Sequence, residues 1–164
     1  MTKPTDGIDK LQRECLAQFF KVFDASTEVT MWQDLIYEEA KEVLTATTDE
    51  ERLKESIDLA YVSAGLLTAM ELVGDIGEDD LRPVPDHEAI TVNAAYEIVT
   101  TVLDLVGDYA FDEAFKRVHA SNMSKLGEDG KPLRRADGKI LKGPNYKPPV
   151  LADLVIQAPT TTLN

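Results

Sequence analysis

Glu38, Glu39, Glu42, Glu55 and Asp58 fall in the pattern E-E-x-x-E, twelve residues, then E-x-x-D. Residues three apart on a helix share a face, so Glu39 pairs with Glu42 and Glu55 with Asp58. Four carboxylates brought together repel one another unless a cation lies between them. An all-oxygen donor set suits Mg²⁺ or Mn²⁺ rather than zinc. Such an ion lowers the pKa of a water that it binds, and a neighbouring carboxylate, Glu38 or Glu42, could take the proton. The chemistry that fits is hydrolysis of an anionic, phosphorylated substrate, because cations must separate the substrate from the carboxylates. The plainer alternative is a solvated acidic helix face. Lys41 and Lys54 are both read as pointing away from the pairs, which leaves the pairs without a neutralising side chain and favours the metal site.

Two helices that end close together are needed to position these pairs. Met31, Trp32, Leu35, Ile36, Val43 and Leu44 mark the apolar side of a helix over about 29–46. Thr48 and Glu51 form a capping box that opens the next helix. That helix is apolar nearly all round beyond Asp58, as expected at the centre of a bundle, and the short link favours antiparallel neighbours. An earlier helix runs from Ile8 to Phe23, with Thr5 or Asp6 as its cap. Asp86 caps a fourth over 87–106, and a fifth covers about 111–125. Beyond Gly127, two short strands flank the turn Ala136-Asp137-Gly138, and the P-N-Y-K-P-P run lies extended along the body. Residues 158–164 read as loose. The expected class is all-α: an antiparallel bundle of about five helices with a short C-terminal β-hairpin-like tail. It forms one domain over 1–164, with a helical body over about 8–125 and a basic tail over about 126–157.

The composition is that of a globular protein: 164 residues, 43% hydrophobic and 29% charged. A net charge of −13 argues against general nucleic-acid binding. The charge is uneven, however. Nine Lys/Arg against three Asp/Glu between Lys116 and Lys147 give a local +6, and the remaining 8 basic and 27 acidic residues give −19. An acidic body with a basic tail can hold a phosphorylated small molecule at both ends. No apolar run is read as long enough to span a membrane, and the polar N-terminus lacks the apolar core of a signal peptide. Cys15, the single cysteine, cannot form an internal disulfide, so the expectation is a cytoplasmic protein.

Candidates for the phosphate end of a substrate are Lys125, Lys139 and Lys142, followed by Arg134, Arg135 and Tyr146. Asn122 offers a donor and an acceptor for a sugar or base, or caps its own helix. Trp32 either stacks a base or belongs to the core. Asn93, on an otherwise apolar helix, is either a buried polar contact or part of the nucleotide pocket. His119 is read as structural. A ferritin-like di-iron bundle is excluded, because it needs Glu-x-x-His pairs and no Glu lies three residues before His87 or His119. A non-enzymatic helical adaptor with an acidic face would leave the basic tail without a role. The fourth helix is apolar over more than one face, which fits a subunit interface.

The E-E-x-x-E…E-x-x-D pattern and the order of helices resemble the all-α nucleoside triphosphate pyrophosphohydrolases. That superfamily includes MazG-like proteins, dimeric dUTPases, dCTP pyrophosphatases and phosphoribosyl-ATP pyrophosphohydrolase. The tail HASNMSKLGEDGKPLRRADGKILKGPNYKPP is similar to that of phage-borne MazG-like proteins, and within them to the MazZ type, associated with phages that replace adenine by diaminopurine. The resemblance implies that Glu39, Glu42, Glu55 and Asp58 are metal ligands, and that Glu38 is a supporting residue or binds a further ion. It implies hydrolysis between the α- and β-phosphates, giving a nucleoside monophosphate and pyrophosphate. dGTP or GTP is the first expected substrate and dUTP or dCTP the alternative. It also implies assembly as a homodimer or homotetramer, whose sites can borrow residues from a neighbour, and for a phage protein a place in the host cytoplasm.

Overall fold

The computed structural model describes residues 9–155. Five helices follow in order, α1 (Lys10–Phe23), α2 (Val29–Thr45), α3 (Asp49–Val73), α4 (Asp86–Val106) and α5 (Asp108–Met123), and then two short strands, β1 (Leu133–Arg134) and β2 (Ile140–Leu141). The class is all-α, as expected. α3 opens with the capping box: Thr48 accepts from the Glu51 N–H, and the Glu51 carboxylate accepts from the Thr48 N–H. Thr5 and Asp6 lie outside the described residues, as do 158–164. The cap of α1 is instead Asp9, whose carboxylate accepts from the Gln12 N–H at 2.8 Å. Asp86 does not cap α4. Pro85 holds that position and Asp86 is the first helical residue, where its charge complements the helix dipole. α5 starts three residues before Phe111, directly after Gly107 with its left-handed φ of 81°.

α3 is the central helix, in contact with α1, α2, α4 and α5. Its buried Leu53, Ile57, Tyr61 and Ala64 meet Leu16, Phe19 and Phe23 of α1 and Phe111, Phe115 and Val118 of α5. A smaller cluster, Ala40, Val43, Leu59 and Ala95, joins α2, α3 and α4. Trp32 is buried and stacks on Phe20 at 5.4 Å, so its ring belongs to the core. Its close neighbour is Gly65, where any Cβ would overlap the indole; α2 and α3 approach this closely only because that side chain is missing. Leu44, expected on the apolar side of α2, is 42% exposed, since the helix turns it away from its buried neighbour Val43.

By length and composition alone, α3 and α4 are apolar enough to cross a membrane, contrary to the expectation that no run is. α3 spends that character inside the bundle. α4 does not: Ala95 is its single buried residue among those described, and Ile90 and Leu105 are more than 60% exposed.

The basic tail folds back over the bundle: its hairpin packs on the end of α1 and the start of α2, and Leu151 farther along reaches the start of α3. β1 and β2 pair antiparallel, Leu133 with Leu141 and Arg134 with Ile140, around the predicted Ala136-Asp137-Gly138 turn. Gly138 takes φ 98° against Ser26 and Met31, a conformation that disfavours a side chain. Arg134 donates to the Phe23 and Asp24 carbonyls at the end of α1, and thus serves the body rather than a free cleft. Arg135 and Lys139 both donate to Glu38 of α2, at 2.9 and 2.6 Å. Farther along, Pro144 and Asn145 form a turn closed by the Tyr146 N–H on the Gly143 carbonyl, contrary to the expectation of a run extended throughout. Beyond it, Lys147 N–H donates to Ser124, Leu151 N–H donates to Glu50, and Leu151 is buried, so the rest of the run does lie along the body. Replacing Glu38 by Gln removes the charge that both hairpin cations share. The expected result is several-fold faster tryptic cleavage between Arg134 and Lys142 with a global stability loss of only about 1 kcal/mol. Timed proteolysis with mass spectrometry checks it, and an unchanged cleavage rate contradicts it.

Candidate active site

Helical spacing sets the carboxylates as read from the sequence. Glu39 and Glu42 project from one face of α2, and Glu55 and Asp58 from the facing side of α3. One carboxylate oxygen from each of Glu39, Glu42 and Glu55 lies within 4.8 Å of the others. Asp58 is beside them but is occupied differently. The Lys54 ammonium donates to Asp58 Oδ2 at 2.8 Å and to Glu55 Oε1 at 2.9 Å. The expectation that Lys54 points elsewhere is therefore wrong: a lysine four residues before Asp58 on the same helix reaches it. Lys41 does point away, over the Tyr37 ring at 4.5 Å.

The electrostatics of the cluster follow from its depth. Burial, reinforced by the charges of Asp58 and Glu42, pushes the Glu39 carboxyl up to about 8. Burial likewise pushes Glu55 up to about 7, against the pull of Lys54. Glu55 Oε2 is buried with no hydrogen-bond partner. A buried acceptor without a donor is costly, and a hard cation coordinated by oxygens satisfies it. The donor set of Glu39, Glu42 and Glu55 thus fits a divalent metal ion. Glu38 is set apart. Burial opposes its ionisation, but Lys139 and Arg135 outweigh that and hold its carboxyl below the usual range.

Two cavities meet at the cluster. An apolar slot is lined by Phe19, Met31, Trp32, Leu35, Val62 and the hairpin residue Ile140, with Ser26 and Tyr61 adding hydroxyls. A polar cleft holds Glu42, Lys54, Lys142 and Tyr146. Glu39, Asp58, Asn122, Lys125 and Lys139 line both. Five of the predicted substrate contacts, Asn122, Lys125, Lys139, Lys142 and Tyr146, are brought to the carboxylates together. Lys142 sits over the Tyr146 ring at 4.9 Å. Lys125 is deep enough for burial to lower its pKa. Trp32 reaches the slot as a wall of the core, its indole N–H donating to the Ser26 carbonyl.

Asn93 is not brought in. It is exposed on α4, in a separate groove with Gln33, Tyr37 and Arg82. His119 is structural, as expected: Nδ1 is 2.9 Å from the Tyr61 hydroxyl and Nε2 2.9 Å from Gln18 Oε1, and burial lowers its pKa. Sequence reasoning missed Lys54, Ser26 and Tyr61 as site residues. Lys54 alone had a signal, its spacing to Asp58; Ser26 and Tyr61 enter through packing of α1, α2 and α5 that no local pattern encodes.

A family model described as phosphoribosyl-ATP pyrophosphohydrolase matches residues 17–78. The matched stretch runs from within α1 through both carboxylate helices. Comparison with curated proteins and with solved structures found no match. Residues 17–78, which hold both carboxylate helices, are thus similar to a family that belongs to the MazG-like all-α nucleotide pyrophosphohydrolases, hydrolases acting on phosphoanhydride bonds.

Proposed function

We propose that the protein hydrolyses a nucleoside triphosphate between its α- and β-phosphates, giving a nucleoside monophosphate and pyrophosphate, with Mg²⁺ or Mn²⁺ held by Glu39, Glu42 and Glu55. The observation that carries this reading is a converging carboxylate cluster with an apolar slot on one side and a lysine-lined cleft on the other. A base and sugar suit the slot, where Asn122 offers polar contacts. The β- and γ-phosphates suit the cleft, where Lys125, Lys139 and Lys142 spread their charge. The divalent ion, when bound, supplies charge neutralisation for the α-phosphate and a more acidic water. Glu42 is the exposed member of the cluster and takes the proton of the attacking water. The P–O bond to the bridging oxygen breaks, and pyrophosphate leaves toward the lysines. Among substrates, dGTP or GTP comes first on the phage-type resemblance of the tail, with dUTP or dCTP as the alternative.

Self-association belongs to the same reading. Ile90, Leu105 and Tyr109 are 66–82% exposed, and α4 turns little of its apolar surface inward. Exposed apolar area of this kind suits an isologous interface between copies.

Three outcomes check the reading. Incubation with each NTP and dNTP plus Mg²⁺ or Mn²⁺ should release monophosphate and pyrophosphate, fastest with the guanine nucleotides, and Glu42→Gln or Asp58→Asn should lower kcat by about 10²-fold or more. Release of orthophosphate, or full activity in those variants, overturns it. The second outcome follows from pKa values raised above those of the unfolded chain. Glu39 and Glu55 favour the fold when protonated, so that contribution is complete at low pH and is lost as pH rises through about 7 and 8. The metal-free melting temperature should therefore fall between pH 5 and pH 8.5, roughly, and the stabilisation given by millimolar Mn²⁺ should grow over the same window. A Mn²⁺ effect that shrinks as pH rises contradicts the site. Finally, light scattering should find a dimer or tetramer, and Ile90→Glu with Leu105→Glu should give monomers; a monomeric wild type removes the interface.

A further inference from the structure

His119 is a buried titratable group that takes no part in the chemistry of the proposed hydrolysis. It stands between Gln18 of α1 and Tyr61 of α3. Its Nε2 lies 2.9 Å from Gln18 Oε1, and its Nδ1 lies 2.9 Å from the Tyr61 hydroxyl. A carbonyl oxygen only accepts, so Nε2 carries a proton. Burial lowers the pKa of the ring, and a neutral imidazole holds one ring proton. Nδ1 is therefore an acceptor, and the Tyr61 O–H donates to it. The Tyr61 ring does not need that bond to stay in place. It stacks on Phe115 and His119, with ring centres 5.3 and 6.0 Å away, and meets Phe19 edge-on at 5.8 Å. What His119 decides is the direction of the hydroxyl proton.

With its proton committed to His119, the Tyr61 oxygen has lone pairs to offer. Burial raises the Tyr61 pKa well above its ordinary value, and a hydrogen bond with the Asn122 side chain pulls the other way, which is the effect of a donor. An Asn122 amide that turns its NH₂ group to Tyr61 keeps its carbonyl oxygen for the slot and the cleft, both of which Asn122 lines. We propose that His119 is a positioning residue for the nucleoside: through Tyr61 it fixes which way round the Asn122 amide stands, so that the site meets an N–H or O–H of the sugar or base with the Asn122 carbonyl oxygen. The inference rests on the nucleotide reading given above and specifies it. The other tautomer of His119 would reverse the chain. An Nδ1–H would occupy the Tyr61 oxygen, the hydroxyl proton would turn to the Asn122 carbonyl, and the site would face the NH₂ group instead. Gln18 prevents this by holding the ring proton on Nε2, so a residue of α1 sets a contact made on α5.

The test is steady-state kinetics with the NTP or dNTP that the wild type hydrolyses fastest. His119→Leu should raise KM about three- to ten-fold, the worth of one hydrogen bond, and leave kcat within about two-fold. Tyr61→Phe, which keeps the stacked ring, should do the same. The double variant should be no worse than either single one, because both changes break one path. His119→Asn, whose Oδ1 can stand where Nδ1 stood, should restore KM. An unchanged KM in both His119→Leu and Tyr61→Phe overturns the proposal, as do additive effects in the double variant or a His119→Asn variant no better than His119→Leu. If His119→Leu does not fold, Tyr61→Phe and His119→Asn carry the comparison. The tautomer is read without turnover, by ¹⁵N NMR of the histidine-labelled wild type near neutral pH: a proton on Nε2 and none on Nδ1 is expected, and a proton on Nδ1 overturns the proposal. A wild type inactive toward every NTP and dNTP is a different result, which sinks the nucleotide reading itself.

Discussion

Mutual repulsion among carboxylates at the α2–α3 interface governs the architecture of the site. Helical spacing puts Glu39 and Glu42 opposite Glu55 and Asp58, and the packing that brings the helices together also removes water from between them. Glu39 consequently resists ionisation, with its carboxyl near 8. A cluster of this kind persists only if cations reach it. The chain provides them from three directions: Lys54 from within α3, Lys125 from just beyond α5, and Lys139 from the hairpin. Each arrives by a different element, which explains why a bundle that is otherwise complete at α5 needs the basic tail.

The central helix carries two demands that conflict on an ordinary amphipathic surface. α3 must line the core toward α1 and α5, with Ile57, Tyr61 and Ala64, and present Glu55 and Asp58 toward α2. It meets both by concentrating its charge in the first three turns, up to Asp58, and by being apolar on most faces beyond them. Close approach to α2 then depends on Gly65 beneath the Trp32 ring. The core and the site are thus parts of one contact surface, with the apolar part around Trp32 and Gly65 and the acidic part nearer the α2–α3 turn. A core change at that glycine would shift the carboxylate pairs as well, because overpacking moves helices more readily than it compresses them.

What the sequence made legible was local. The capping box at Thr48 and Glu51, the i, i+3 carboxylate pairs, the Ala-Asp-Gly turn and the number of helices depend on neighbours within a few residues, and each was found. The errors came where distant packing or a side-chain rotamer decides. Lys54 was placed away from the pairs although its i, i+4 relation to Asp58 permits the bridge that forms. Asn93 could not be assigned from α4 alone, because α4 buries so little that a polar residue there says nothing about a pocket. The apolar slot is assembled from α1, α2, α3, α5 and the hairpin, so neither Ser26 nor Tyr61 carried a local sign of it. The capacity of α3 and α4, by length and composition, to span a membrane was also missed, because scattered charges interrupt runs that are apolar on average.

The two adjacent glutamates of the motif have separate tasks, and helix geometry is the reason. Neighbouring residues on an α-helix point about 100° apart, so Glu38 and Glu39 cannot face the same partner. Glu39 turns into the cluster and is held close to neutral by burial. Glu38 turns toward the hairpin, where Arg135 and Lys139 keep it ionised. The pairing at Glu38 has a consequence for its neighbour, since it fixes Lys139 where that residue lines both cavities beside Glu39. A single acidic dipeptide thereby anchors the tail and helps bring a tail cation to the carboxylates. Reversing the order of the two roles would need the hairpin to cross the opposite side of α2, where α4 already packs.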